Sequence, residues 1–128
     1  MIIVYLAGIS SQYEGEDIEV RYCIYEDQNL IRKESVMLAY QKPAVVGQAA
    51  LAAVLSELEK YADREIVIII NDGALNEIVR GTSTTKNKDV LSKSMQTREA
   101  LGKFENLSIK DVGANRPELL KWNEALQF

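Results

Sequence analysis

The sequence predicts an α/β fold with a mixed five-stranded sheet and helices on both faces of the sheet. Two apolar runs, residues 2–9 and 66–70, are typical of strands buried on both faces. Residues 18–25 alternate between apolar and polar side chains, which is the period of a half-buried strand. Segments whose apolar residues recur with helical spacing lie between the later strands. A helix that connects two strands in this way implies that the strands are parallel. We expect residues 1–128 to form one domain, because this length is enough for one sizeable core.

The first three strands are expected to form an antiparallel meander. Residues 2–9 form the first strand and residues 18–25 the second. A tight turn at residues 26–29 leads into a third strand over residues 30–40. Its charged residues Arg32, Lys33 and Glu34 are typical of a strand at the edge of a sheet.

A helix follows the meander and leads into the fourth strand. Pro43 begins it, since the missing N–H of proline costs nothing in a first helical turn. Asp63 and Arg64 end its pattern, and residues 66–70 follow as the fourth strand. The apolar stripe of the helix consists of Leu51, Leu55, Leu58 and Ala62.

The segment Asn71-Asp72-Gly73 directly after the fourth strand has two interpretations. Asp-Gly between apolar runs is a hairpin signal. However, Leu75, Ile78 and Val79 have helical spacing, which favours a short helix that ends at Gly81. Asp72 then either caps this helix through backbone N–H groups, the interpretation we favour, or is a functional carboxylate at a strand end.

The last third of the chain is predicted to contain a helix, a strand and a final helix. The helix covers residues 86–101. The last strand contains Leu107, Ile109 and Val112, and Trp122 is expected to anchor the final helix on the sheet. The order is therefore βββαβααβα. Two sets of apolar residues are expected to be buried: Val90, Leu91, Met95 and Leu101 in the first helix, and Leu119, Leu120, Trp122, Ala125 and Leu126 in the second.

The composition excludes several classes of function. The chain has no histidine, so no mechanism that needs imidazole as a base or as a zinc ligand is possible. Cys23 is the only cysteine, which suits a reducing compartment, and we expect a cytoplasmic protein. No run approaches the ~20 apolar residues of a membrane span, so no membrane association is expected.

The charge is uneven along the chain. The net charge is −4, but residues 80–110 contain seven basic and three acidic residues. Lys86, Lys88 and Lys93 are the best candidates for contacts with nucleic acid, although a solvated helix face explains them more simply.

Several stretches, taken in order, resemble the ribonuclease H family. Val4-Tyr5-Leu6-Ala7-Gly8 is similar to its first strand, which ends in Asp-Gly in active members. "IIINDGALNEIVRG" is similar to its fourth strand, the turn and a short helix. Three more stretches complete the ordered set: "GQAALAAVLSELEKY", "TKNKDVLSK" and "LSIKDVGANRPELLKWNEAL".

The resemblance implies a metal site that this chain has largely lost. The family uses about four carboxylates to hold two Mg²⁺ ions, which need oxygen ligands. The first aspartate position falls on Ala7, and the helix glutamate on Gln48, or on Ala49 or Ala50 if the register shifts. Asp72 keeps the fourth-strand aspartate, and the last one falls near Trp122 or Asn123. The acids that could substitute are Asp111, Glu118 and Glu124.

These departures predict a catalytically degenerate member of the family, a pseudoenzyme that serves as a binding or assembly module. No metal or other cofactor is expected in it. The partner would be an unknown protein or, weakly, nucleic acid through residues 80–110. The alternative is a residual metal-dependent nuclease or phosphodiesterase that uses Asp72, and Mg²⁺ or Mn²⁺ would then be its cofactor.

Overall fold

A computed structural model describes residues 1–11 and 13–127. The strands are β1 (Ile2–Ile9), β2 (Ile18–Glu26), β3 (Asn29–Leu38), β4 (Glu65–Ile70) and β5 (Asn106–Asp111). The helices are α1 (Val46–Leu58), α2 (Gly73–Arg80), α3 (Lys88–Leu101) and α4 (Arg116–Ala125). Short 3₁₀ turns, Pro43–Val45 and Glu59–Tyr61, flank α1. This is the predicted order of elements, with strand leading to helix at Asp72, so the hairpin interpretation is wrong.

The five strands form one mixed sheet in the order β3-β2-β1-β4-β5. β1 pairs antiparallel with β2, and β2 with β3, which confirms the meander. β4 lies parallel to β1, and β5 lies parallel to β4. The carboxyl ends of β1, β4 and β5 therefore lie at the same edge of the sheet.

The main core lies between the sheet and α1. Three residues of the predicted stripe are buried in α1, Leu51 and Leu58 at 0% exposure and Leu55 at 3%. The fourth, Ala62, lies after the 3₁₀ turn and is half-buried. The stripe packs on alternate residues of the central strands, and glycine allows a close approach at one point. A Cβ built on Gly8 of β1 would lie 3.0 Å from the Cβ of Ala50 and 3.1 Å from the carbonyl oxygen of Val46.

The opposite face of the sheet is covered by α4. The indole Nε1 of Trp122 donates a hydrogen bond to the carbonyl of Leu6 at 3.0 Å, so Trp122 anchors α4 on β1 as predicted. Cys23 on β2 lies under the carbonyl of Ala125. Because one short helix covers this face, alternate residues of β1 and β4 are only half-buried there. The expectation that both strands are buried on both faces is therefore wrong.

Helix α3 buries Val90 as predicted, and Leu101 packs against the core, but Leu91 and Met95 do not lie on its buried face. Val90 and Thr97 are its buried residues, whereas Leu91 is 49% and Met95 75% exposed. Leu120 of α4 is likewise 60% exposed. The hydroxyl of Thr97 donates to Oε1 of Gln48 on α1 at 2.6 Å, so a buried polar pair fixes the helix orientation. A pattern that counts apolar residues alone cannot detect such a contact.

No helix in the described ranges is long and apolar enough to span a bilayer.

Replacing Thr97 with valine tests the polar pair between α1 and α3. Valine keeps the shape of threonine but leaves Oε1 of the buried Gln48 without its donor. An unsatisfied buried acceptor costs about 1–3 kcal/mol, and urea denaturation should show a loss of that size. The matched control is Thr84→Val at an exposed position, which should change stability by less than about 0.5 kcal/mol. Equal effects of the two substitutions would contradict a structural role of the pair.

Candidate functional site

A small cavity lies where the carboxyl ends of β1 and β4 meet the first turn of α1. Its volume is about 60 Å³, room for only a few water molecules. Such a position, outside the carboxyl ends of parallel strands, is where α/β folds commonly bind ligands. The lining residues are Leu6, Ala7, Gly8, Gly47, Ala50, Ile70, Asn71, Asp72, Leu75 and Trp122. The cavity therefore contains one carboxylate among mainly apolar and small side chains.

Asp72 is the N-cap of α2. Its Oδ1 accepts a hydrogen bond from the backbone N–H of Leu75 at 3.0 Å, and its backbone is extended, as N-cap geometry requires. The predicted cap is thus confirmed. The cap holds the side chain in one orientation, with Oδ2 directed towards α1.

Gly47 is the residue of α1 that faces Asp72. A Cβ built at this position would lie 2.5 Å from Oδ2 of Asp72, well inside van der Waals contact. The carboxylate of Asp72 therefore occupies the space that any side chain at position 47 would need.

Gln48 does not lie at the site. It is 2% exposed, its Nε2 donates to the carbonyl of Val90 at 3.3 Å, and its Oε1 accepts from Thr97. Consecutive helical residues point about 100° apart, so Gln48 faces α3 while Gly47 faces Asp72. Of the candidates on α1, Ala50 lines the cavity and Gln48 does not. Glycine and alanine at positions 47, 49 and 50 give no signal of register in the sequence.

Ala7 and Asn123, two positions that the resemblance assigned to lost carboxylates, have different surroundings. Ala7, half-buried near the end of β1, lines the cavity. From α4, Trp122 lines it, whereas Asn123 is exposed and lines an adjacent groove of about 530 Å³. That groove also contains Ile9, Arg21 and Leu120. Neither position supplies a carboxylate.

Asp111 is a second carboxylate near Asp72. It ends β5 and stands in register with Ile70 on β4. Its Oδ1 accepts two backbone N–H bonds, from Asp72 and from Gly113, both at 3.2 Å. From the sequence alone, Asp111 is only a possible substitute ligand, because strand register decides which acids become neighbours. Its hydrogen bonds join the end of β4 to the loop after β5.

The other acidic candidates are engaged elsewhere or lie outside the cavity. Glu118 accepts a hydrogen bond from Lys110 at 2.6 Å, and Glu124 lines the adjacent groove. Within residues 1–11 and 13–127, no three His, Cys, Asp or Glu side chains are close enough together to hold a metal ion. Since Mg²⁺ prefers several oxygen ligands in a regular geometry, the residues present do not fit a two-metal site.

The three lysines proposed for nucleic acid do not share one surface. Lys86 is exposed in the loop before α3, and Lys88 begins the helix. Lys93 is half-buried beside Tyr40 and Asp89. Residues five apart in a helix point about 140° apart, so Lys88 and Lys93 are directed to different sides. The basic segment thus gives a diffuse charge.

Tyr5 and Cys23, on the sheet face under α4, both have a raised pKa. Burial raises the pKa of Tyr5, and the neighbouring Cys23, Tyr25 and Glu118 raise it further. Burial also raises the pKa of the Cys23 thiol. Neither group can therefore act as a general base near neutral pH.

A double-mutant cycle tests the contact between Gly47 and Asp72. Asp72→Ala removes the cap of α2 and should cost about 1 kcal/mol, whereas Asp72→Asn keeps a capping oxygen and should cost less than half of that. Gly47→Ala should stabilise α1 by up to about 1 kcal/mol, but the added Cβ displaces the carboxylate of Asp72 from its cap. We therefore expect no gain from Gly47→Ala alone and a gain in the Asp72→Ala background.

Chemical denaturation of the four chains measures this coupling, which should amount to about 1 kcal/mol. Asp72→Asn serves as the control for charge. Strictly additive free energies would mean that the carboxylate does not occupy the space beside position 47.

Comparison with known structures agrees with this architecture. RNase H1 from the halophilic archaeon Halobacterium salinarum is 19% identical, with a TM-score of 0.77 over 91% of this chain and 89% of that one. The N-terminal RNase H domain of a Mycobacterium tuberculosis protein is 15% identical, with a TM-score of 0.73 over 98% of both chains. LC11-RNase H1 from compost, solved in complex with an RNA/DNA hybrid, is 17% identical with a TM-score of 0.75 over 98% of this chain and 96% of that one. No family model matches the sequence, and no curated protein matches it significantly. The chain therefore has a ribonuclease H-like fold.

Proposed function

We propose that this chain is a ribonuclease H-like domain without metal-dependent catalysis, and that it acts as a binding or assembly module. The observation that carries the proposal is the contact between Gly47 and the carboxylate of Asp72. A metal bridging α1 and β4 would need a ligand from α1 at this point. The backbone of Gly47 offers no side chain, and Asp72 itself occupies the space.

The ligand chemistry supports the same conclusion. Two divalent ions that act on one phosphodiester must be held by several carboxylates, which clamp the attacking and leaving oxygens. Ala7 and Asn123 stand at two of the positions that the resemblance assigns to such ligands, and neither can bind as an anion. Asp72 alone would have to hold both ions, and one of its oxygens is engaged in the helix cap.

The alternative, a residual phosphodiesterase, requires nearby acidic residues to replace the missing metal ligands. Asp111 lies near Asp72, but its Oδ1 accepts two backbone hydrogen bonds. Glu118 is paired with Lys110, and Glu124 lies beside the larger groove. A metal that recruited Asp111 or Glu118 would compete with these contacts for the carboxylate. The non-catalytic function is therefore the better supported of the two.

Hybrid cleavage is the direct test of lost catalysis. We expect the protein, with Mg²⁺ or Mn²⁺, to cleave a labelled RNA–DNA hybrid no faster than in EDTA, because the site lacks the ligands for two metals. An active ribonuclease H1 assayed in parallel confirms that the substrate and buffer support cleavage.

Asp72→Asn is the matched control for that assay, since asparagine can keep the helix cap while the charge is lost. Metal-dependent turnover that this substitution abolishes would overturn the proposal and establish the phosphodiesterase. Turnover that survives the substitution would indicate a contaminating nuclease.

Binding without cleavage is tested with the same hybrid at two salt concentrations. The diffuse charge of residues 80–110 should give at most a weak complex at ~50 mM salt that is lost at ~200 mM, because phosphate contacts depend on counterion release. Lys86→Gln/Lys88→Gln should weaken it no more than the charge-matched control Lys60→Gln/Lys121→Gln. A loss confined to the first pair in gel-shift titrations would instead identify a defined phosphate-binding patch.

A further inference from the structure

A second pocket lies on the face of the sheet under α4, near the amino end of β1. Its volume is about 400 Å³, which is within the range of small-molecule sites. Half-buried side chains of β1 and β2 and exposed side chains of α4 and the turn after β2 line it. The former are Ile3, Tyr5 and Tyr25, and the latter are Lys121, Glu124 and Gln28.

Two aromatic rings give this pocket a surface for a third ring. The ring centroids of Tyr5 and Tyr25 lie 5.9 Å apart and the ring planes meet at 81°, which is the edge-to-face geometry of an aromatic pair. Ile3 stands in register with Tyr25 across the pair of β1 and β2 and adds apolar surface beside the rings. The half-buried part of the pocket is therefore suited to a flat apolar group.

One cation and one anion lie together at the exposed side of the pocket. Lys121 and Glu124 are three residues apart on α4, so their side chains are neighbours on the helix surface. Both are exposed, and within residues 1–11 and 13–127 neither takes part in an ion pair. The pocket therefore presents two opposite charges that have no partner in this part of the chain.

Gln28 has a backbone conformation that its residue type does not favour. It is the second residue of the two-residue turn between β2 and β3, and its φ is 72°. Glycine and asparagine are preferred in this left-handed region, because a side chain is strained there. Strained residues are concentrated at ligand sites, and the side chain of Gln28 lines this pocket.

We propose that this pocket binds a free α-amino acid with an aromatic side chain. At neutral pH such a ligand carries an ammonium and a carboxylate on the same carbon. Lys121 binds the carboxylate, Glu124 binds the ammonium, and the ring of the ligand packs against Tyr5 and Tyr25. The amide of Gln28, which both donates and accepts hydrogen bonds, contacts the polar end of the ligand.

The charges of the pocket distinguish this ligand from others that could use the same rings. A nucleotide brings only negative charge, which Glu124 repels. An uncharged aromatic molecule leaves both Lys121 and Glu124 without a partner. A single exposed ion pair contributes little to affinity, so the ligand that the pocket fits best is one that pairs with both charges and also buries a ring.

Binding at this pocket is independent of the proposed loss of catalysis, because the pocket shares no residue with the cavity at Asp72. A catalytically active chain could still bind an amino acid, and an inactive one could fail to bind it. The hybrid-cleavage assay and the ligand titration therefore fail separately.

Isothermal titration calorimetry with L-phenylalanine tests the pocket, and two analogues test the role of the charges. Phenethylamine lacks the carboxylate, and 3-phenylpropionate lacks the ammonium. We expect saturable binding of L-phenylalanine and binding at least about fivefold weaker for each analogue, because each loses one charge-assisted hydrogen bond.

Variants that remove one charge assign each contact. Lys121→Gln should weaken binding of L-phenylalanine about fivefold and leave that of phenethylamine unchanged. Glu124→Gln should weaken L-phenylalanine equally and leave 3-phenylpropionate unchanged. Lys88→Gln and Glu99→Gln on α3 make the same changes in charge away from the pocket, and they should bind all three compounds like the unmodified chain.

Gln28→Gly separates binding from folding. Glycine relieves the backbone strain at this position, so the variant should be at least as stable as the unmodified chain in urea while it binds L-phenylalanine more weakly. No saturable binding at ~10 mM L-phenylalanine, equal affinities for the three compounds, or equal effects of Lys121→Gln on all three would each overturn the proposal.

Discussion

The close packing of α1 on the parallel pair β1 and β4 is the constraint on which the rest of the structure depends. Gly8 lets the helix approach β1 until the side chain of Ala50 and the backbone of Val46 leave no room for a Cβ. This packing builds the main core and also sets the first turn of α1 against the end of β4. Gly47 consequently contacts the carboxylate of Asp72. The packing of α1 on the sheet therefore determines both the core and the space around Asp72.

The polar groups at the ends of the parallel strands maintain local structure. Asp72 caps α2, and Asp111 ties the backbone of Asp72 to that of Gly113. A carboxylate that accepts hydrogen bonds from backbone N–H groups takes the place of the water that would otherwise bind these groups at helix and strand ends. Such a network stabilises the loops around the cavity, and it is a different use of acidic residues from metal binding.

Prediction from the sequence succeeded where a residue's local pattern matched its tertiary environment. The alternation of β2, the stripe of Leu51, Leu55 and Leu58, and the cap at Asp72 could all be read from spacing. It failed for Leu91 and Met95, because α3 is oriented by a buried hydrogen bond between Thr97 and Gln48. It also failed for Gln48 as a site residue, because the pattern of an alanine-rich helix start does not indicate which residue faces the sheet.

The sequence by itself determined the order of elements, the absence of imidazole chemistry and the presence of alanine, not a carboxylate, at position 7. These follow from periodicity and residue identity, which need no partner in space. Only the tertiary structure decided that Gly47 faces Asp72, that Asp111 is its neighbour, and that the lysines of α3 diverge. Each of these depends on strand register or helix rotation, and both are set by contacts between residues far apart in the chain.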